Sequence, residues 1–514
     1  MDQDKLKELL EEGEKLHLLE EAKSITNIKE KWFVEDETDD EKTDKATNET
    51  LPNDKIGEAE HTSQLKNNDD PEDTKILDAK SNEEPKIDSE KEPTNEASSD
   101  KAKTKSRKSK WSKSKISQER MYNLDLMPRL LYSRGSMVEL LIQSNISRYT
   151  EFKAVSRVLT ILNGVLEHVP SSRADVFGTR HISVIEKRIL MKFLEFCLNY
   201  EDENNSKFYE NYQQRPFVDF LKHQKLTENL IHFVLNSIAM VNKNTNTLEG
   251  LKATQKFLSG LGRFGNTPFL YSSFGSGELP QAFCRLCAVF GGTYFLGRNI
   301  EGVFTDANDK CLGIISNGQK IHCQKLVLSG QSCPVSLKQQ KPKATEMIYR
   351  KIRLTCDSIL RSEKEQLTFL SIPNQDNDFT FVTEVGHGAS VCPKSMYCLH
   401  LTSNQDSIDE NLENLIEEIC LWSLDFEISN KMFEVTNNET LYLTSGPHFE
   451  LDYDQTIENA KNIYKNMYPE EPFLPRAPDP DEIILDYPTE SNEEINNEKC
   501  DEEKTVENAD ESKN

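Results

Sequence analysis

Apolar and polar positions alternate in three regimes along this chain. Leu6, Leu9, Leu10 and Leu16 recur at near-helical spacing and predict one helix over positions 1–22. Positions 35–100 carry almost no aromatic or periodic apolar residue. Such a segment cannot bury enough apolar surface to offset the entropy of ordering, and it is expected to be disordered. From about 117 the pattern becomes that of a globular protein. Met137, Leu140 and Leu141 predict a helix closing near Ser144, and Tyr149–Val155 predicts a strand. Asn163-Gly164 inside Ile161–Val169 reads as a hairpin turn. Positions 182–258 are helical and apolar beyond one stripe, as in ISVIEKRILMKFLEFCLNY, so they form a core or line a hydrophobic cavity. After 290 short strands take over. CLGIISNGQKIHC is a hairpin around Asn317-Gly318, and KLVLSG, LTFLSI and TFVTEV read as further strands. Helices are expected near 410–420 and 455–467. The sum is an α/β or α+β domain with a mostly helical insertion.

Composition narrows this picture. The chain has 514 residues, with 36% hydrophobic and 29% charged, and a formal net charge of −26. That charge argues against nonspecific binding to nucleic acid or to anionic lipid. The acidic start, MDQDKLKELLEEGEK, has no apolar h-region, and no run reaches the length of a membrane span. Eleven cysteines, scattered from Cys197 to Cys500, fit reduced thiols in the cytosol better than a disulfide framework. The basic block KAKTKSRKSKWSKSK, positions 101–115, reads either as a solvated linker or as a patch for nuclear import or an acidic partner. The acidic tail ends without a C-a-a-X box, so the chain is not expected to be itself prenylated.

The glycine-rich stretch 260–296 is the candidate for chemistry. GLGRFG, at 260–265, matches G-x-G-x-x-G literally but in the wrong setting. A dinucleotide fingerprint needs a strand before it and a helix after it, so that the helix N-terminus meets the pyrophosphate. Here a helix precedes and an extended run follows, so Gly260 and Gly262 read as a helix stop. GSGELPQAFCRLCAVFGG instead opens a helix. Pro280 suits its first turn and Glu278 its positive end. Leu279, Phe283, Leu286 and Phe290 fall at i, i+4, i+7 and i+11 and predict one buried stripe. Glu278 and Arg285, two turns apart, share a neighbouring face, either as a routine ion pair or as a functional acid and base. A strand, TYFLGR, is expected after Gly291-Gly292. Cys284-x-x-Cys287 lies mid-helix, away from the N-terminal dipole that activates a redox pair, and is expected to be two small buried thiols. No nucleophile elbow, zinc helix or P-loop is present, and no cofactor or metal is expected.

Taken together, YNLDLMPRLLYSRG, SNISRYTEFK, SSRADVF, VIEKRILMKF, LGRFGNTPFLYSSFGSGELPQAFCRLCAVFGG, SGP and PDPDEIILD resemble the Rab escort proteins over roughly 117–486. That family is the accessory, non-catalytic component of Rab geranylgeranyltransferase and shares a superfamily with the Rab GDP dissociation inhibitors. The resemblance implies a larger domain related to flavoprotein oxidases, without flavin catalysis, carrying an inserted helical domain. It divides the chain into a helical remnant (1–22), a disordered acidic then basic insert (23–116), and a larger Rab-binding domain (117–177 and 266–486). The helical prenyl- and transferase-docking domain would be 178–265, and the disordered acidic tail 487–514.

The resemblance also assigns residues. Glu278, Arg285, Thr293 and Phe295 would contact the switch regions of a GDP-bound Rab GTPase, with Phe295 replacing a methionine common in the dissociation inhibitors. Phe177 and Arg188 match the positions that dock on the prenyltransferase α subunit. From the residues alone, Phe177 reads as a staple before a helix and Arg188 as solvated. Leu190, Phe193, Phe196, Phe233 and Val234 are either core or the lining of a slot for the geranylgeranyl chain. The strand and degenerate glycine turn with which the family begins are not found ahead of MDQDKLKELL, so the chain is expected to lack part of the family's central sheet and Rab platform. The implied function is an escort: binding new GDP-form Rab, presenting it to the transferase, and delivering the prenylated product to membranes from the cytosol. The alternatives are a recycling GDP dissociation inhibitor, or a flavin-dependent oxidoreductase on the same fold.

Overall fold

The structure is a computed structural model, and it describes residues 3–19, 24–36, 104, 106–170, 176, 182–334, 336–337, 344–374, 378–433 and 439–474. An eight-stranded sheet organises it. In spatial order its strands are Ile25–Trp32, Cys420–Met432, Ala344–Thr355, Tyr397–Ser403, Phe379–Val385, Thr368–Pro373, Arg157–Leu162 and Val165–His168. Neighbours are antiparallel except for the parallel pair Thr368–Pro373 and Arg157–Leu162. Alternation sets the buried face. In the Ala344–Thr355 strand, Ile348, Arg350, Ile352 and Leu354 all point inward.

Arg350 can be buried among them because its guanidinium is saturated. It donates to the Leu126 carbonyl at 2.7 Å, to Thr402 Oγ1 at 2.6 Å and to the Leu401 carbonyl, and it meets His400 Nδ1 at 3.3 Å. These bonds pin the 123–129 segment to the sheet.

The helices Val184–Leu198, Glu203–Tyr209, Phe217–His223, Glu228–His232 and Thr247–Gly260 form the helical block, with a π-helical turn at Phe233–Ala239. Ser183 starts the first of these through a capping box with Glu186. Gly250 allows the last to close on its neighbour, since a Cβ there would lie 2.3 Å from the Phe217 ring. The core of the block is continuous with that of the sheet. Leu190, Phe193, Phe233 and Phe257 belong to one hydrophobic cluster with Val158, Ile352, Phe369 and Leu399 of the sheet. Phe269 links the two, with its ring 5.6 Å from Phe257, 5.0 Å from Phe369 and 4.9 Å from Tyr132.

Three smaller sheets complete the architecture. Leu131–Tyr132, Phe269–Ser272 and Phe152–Ala154 form one, and Leu326–Ser329 runs parallel to Leu441–Thr444 in another. The third is antiparallel throughout, in the order Lys15–Leu18, Ile300–Thr305, Cys311–Ser316, Gln319–His322. Both hairpin turns are as expected, with Asn163 and Gly164, and Asn317 and Gly318, all at positive φ.

Three expectations are corrected. Positions 1–22 are not one helix: the helix covers only Gln3–Lys7, Gly13 turns the chain at φ +90°, and Leu16 lies in the Lys15–Leu18 strand. The insert does not span 23–116, because Ile25–Trp32 is the edge strand of the large sheet. The basic block does not read as a solvated linker over its described residues. Arg107 pairs with Asp357, Trp111 packs against the core, and Ile116, just beyond the block, is buried. The acidic stretch 37–100 and the tail 487–514 lie outside the described residues.

Candidate functional site

The site is built on the helix Glu278–Val289. The buried strand Phe269–Ser272 delivers the chain to it through a sharp turn, with Phe274 at φ 65° and Gly275 at φ +101°. Gly275 leaves room for the Asp125 carboxylate, which a Cβ would approach to 2.8 Å. That carboxylate accepts the Ser276 backbone N–H at 2.8 Å, and so fixes the first turn of the helix. Burial pushes its pKa up, and the bonds from Ser276 partly offset this.

Leu279 and Ala282 are buried and Phe283 and Leu286 half-buried against Met137, Val138, Leu141 and Ile146. The predicted stripe stops there. Phe290 is 57% exposed, because the helix outruns the surface it packs on. At the C-terminal end Gly291 takes a positive φ of 84°, and Gly292 lies where a Cβ would meet Cys287 Sγ at 2.3 Å.

Glu278 is half-buried, and Arg285, Thr293 and Phe295 are exposed. Glu278 and Arg285 share no ion pair. Instead the Arg285 guanidinium lies over the Tyr149 ring, 4.6 Å from its centroid. Phe295 is 68% exposed and sits under Arg298, whose guanidinium is 5.5 Å from the ring centroid. Arg298 is itself anchored to Ser316 Oγ at 2.9 Å. Two expectations fail here. Residues 293–296 form no strand, and the next strand begins at Ile300. The thiols are not buried either: Cys284 is half-exposed and Cys287 exposed. The neighbouring thiols, Cys287 and then Cys284, push the pKa of the Tyr294 phenol up. The result is a surface carrying one acid, Glu278, two cations, Arg285 and Arg298, and a run of uncovered apolar side chains, with Leu296 92% exposed.

A family model described as GDP dissociation inhibitor matches residues 88–474. The chain belongs to that family. Within the family, the chain is 37% identical to the mouse "Rab proteins geranylgeranyltransferase component A 2" over 72% of this chain and 64% of that protein. It is 37% identical to the Drosophila melanogaster "Rab proteins geranylgeranyltransferase component A" over 72% of this chain and 75% of that protein. The chain therefore spans somewhat less than two thirds of the mouse relative. A Rab GDI structure from Plasmodium falciparum covers 70% of this chain and 86% of its own, at TM-score 0.59 and 19% identity, so the family fold is shared.

The remaining residues expected from the family fall in two places. Arg188 is exposed on the helix Val184–Leu198, while Phe177 lies outside the described residues. Leu190, Phe193, Phe233 and Val234 are buried and Phe196 is partly so, all packed within the main core. Phe193 meets Phe196, Phe217 and Phe220 at 6.4–6.5 Å between ring centroids, so these side chains fill one another's space.

Sequence reasoning missed the apolar neighbours of Arg188. Val184 and Ile185 are 78% and 74% exposed. A helical wheel could have found them, since both fall off the stripe of Leu190, Leu194 and Cys197. The Tyr149–Arg285 contact had no local signal. Among the described residues no helix is long and apolar enough to cross a membrane.

Proposed function

We propose that this chain is a Rab escort protein, a non-catalytic accessory subunit of a prenyltransferase. It binds GDP-form Rab GTPases, presents them to Rab geranylgeranyltransferase, and carries the prenylated product through the cytosol to membranes. The observation that carries this reading is the uncovered Glu278–Leu296 surface in a chain whose relatives are named component A. Phe290, Tyr294, Phe295 and Leu296 are exposed together in one short run, and such a cluster marks an interaction surface more than scattered exposed side chains do. Glu278 and Arg285 supply charges of both signs for orienting a switch region, and Phe295 and Leu296 supply apolar contact. Thr293 offers a hydroxyl between them.

Transferase docking is proposed at Phe177 and Arg188, with Val184 and Ile185 as the apolar ground around the cation. The π-helical turn Phe233–Ala239, buried throughout, is proposed as the place where the helical block parts to admit the lipid. Phe193, Phe196, Leu190, Phe233 and Val234 would then exchange contacts with one another for contacts with the chain. Burial of a geranylgeranyl group is worth about 0.8 kcal/mol per CH₂, so a carrier with such a slot holds the product until a membrane competes for it.

Reconstituted Rab geranylgeranylation, with and without this chain, tests the proposal. Stimulation that depends on Arg285 and Arg188 is expected. A folded chain that gives no stimulation would overturn it.

A further inference from the structure

Residues 293–299 carry Phe295 and Leu296, yet little backbone structure holds them. The helix before them ends at Val289, and the strand after them starts at Ile300. Among the described residues, none of their backbone N–H groups donates to a carbonyl outside the segment. Thr293, Tyr294, Phe295 and Leu296 are all exposed. Side chains on such a run sample several rotamers, and ordering them on a partner costs affinity.

One side chain ties the segment down. Arg298 is half-buried, and its Nε donates to Ser316 Oγ at 2.9 Å. Its Nη2 donates to the Ser316 carbonyl at 3.1 Å and to Gln319 Oε1. Ser316 is buried, and its hydroxyl donates to the Asn299 carbonyl at 2.7 Å. Backbone and side chain of the segment therefore meet one anchor, the hairpin of Cys311–Ser316 and Gln319–His322. Gly297, at φ +67°, turns the chain so that the guanidinium comes back to the Phe295 ring, three residues earlier. All three acceptors are neutral. The guanidinium keeps its charge, and with it its attraction for the ring face. A planar fork can serve the hairpin with its edges and the ring with its face at once, which a lysine ammonium cannot. The surface thus has two supports. The helix Glu278–Val289, seated on Met137, Val138, Leu141 and Ile146, presents Glu278 and Arg285, and the hairpin, through Arg298, presents Phe295.

We propose, building on the escort reading, that Arg298 is a positioning residue of this surface. It holds Phe295 in one pose, so that a GDP-form Rab GTPase meets an apolar contact that is already ordered. The test measures Rab binding by titration calorimetry to the full chain and to Arg298→Ala, Phe295→Ala, their double variant and Ser316→Ala. Chymotryptic cleavage after Tyr294, Phe295 and Leu296, resolved by mass spectrometry, supplies a readout that needs no partner. Arg298→Ala is expected to weaken binding about fivefold in the parent, and less than about twofold in the Phe295→Ala background. Ser316→Ala keeps the cation and removes an anchor, and it is expected to weaken binding in the same direction. Both Arg298→Ala and Ser316→Ala are expected to speed cleavage at 294–296. An equal loss from Arg298→Ala in both backgrounds overturns the proposal, because the guanidinium would then act on the partner directly. Cleavage at the parent's rate in both variants overturns it as well. A parent chain that binds no GDP-form Rab overturns the escort reading instead, and the cleavage rates still decide whether Arg298 holds the segment.

Discussion

Arg285 spans the gap between the helix that bears it and the short turn at Ile146–Tyr149, and the Tyr149 ring keeps its guanidinium facing solvent and any partner. Arg285→Ala is expected to weaken binding of GDP-form Rab about tenfold with little change in stability, measured by titration calorimetry and thermal melting. Asp452 poses a different residue-scale question. Burial raises its pKa to about 6, against the N–H bond from Tyr132 and the field of Lys256, while Asp454 adds to the rise. In an unfolded chain an aspartate titrates near ~3.9. The folded state therefore binds this proton more tightly. The stability it confers is present below about pH 4 and is lost as the pH rises through 6. Asp452→Asn cannot ionise. Relative to the parent it is expected to gain about 2–3 kcal/mol between pH 4 and pH 7.5, read from urea midpoints at both pH values. A difference that stays constant over that range would show that the carboxylate titrates normally.

At the scale of elements, the helix Val184–Leu198 presents two faces. Leu190, Phe193, Leu194 and Cys197 anchor it in the core, and Val184, Ile185 and Arg188 stand outside. Replacing Val184 and Ile185 with serine is expected to lower affinity for the prenyltransferase at least about tenfold while leaving the thermal midpoint within a degree or two. Undiminished affinity in a pull-down titration would remove this face from the docking proposal.

The same elements show what the chain makes legible before it folds. Asn163-Gly164 and Asn317-Gly318 were readable because their turn chemistry is local: two consecutive residues must adopt positive φ. Ile25–Trp32 escaped because an edge strand buries little. Its lysines and glutamate read as linker until a neighbour, Cys420–Met432, supplies the hydrogen bonds. Residues 293–296 misled in the opposite sense, since an alternating apolar run is a strand only where another strand accepts it. The choice of Glu278, Arg285, Thr293 and Phe295 as a site rested on family motifs. The aromatic and arginine supports beneath two of them, Tyr149 and Arg298, had no such signal, because they depend on tertiary approach.

At the scale of the whole molecule, the helical block and the large sheet share one hydrophobic cluster, with Phe269 touching aromatic rings on both sides. Unfolding of the two is therefore expected to be a single cooperative event. Phe269→Ala is expected to cost about 3–5 kcal/mol, with probes in the helices and in the sheet moving together in urea. Separate transitions would show that the two regions unfold independently.

The path of the chain between Asp36 and Thr104 has an engineering consequence. The Lys113 N–H donates to the Glu35 carbonyl at 3.2 Å, and Lys108 and Lys113 cover the rings of Phe33 and Trp32. The points where that stretch leaves and rejoins the fold are thus tied side by side. Closing a loop across a fixed gap costs only ~0.6 kcal/mol more for each doubling of its length. This junction is therefore a natural graft point. A reporter or an affinity handle spliced there is expected to leave the pairing of Ile25–Trp32 with Cys420–Met432 intact.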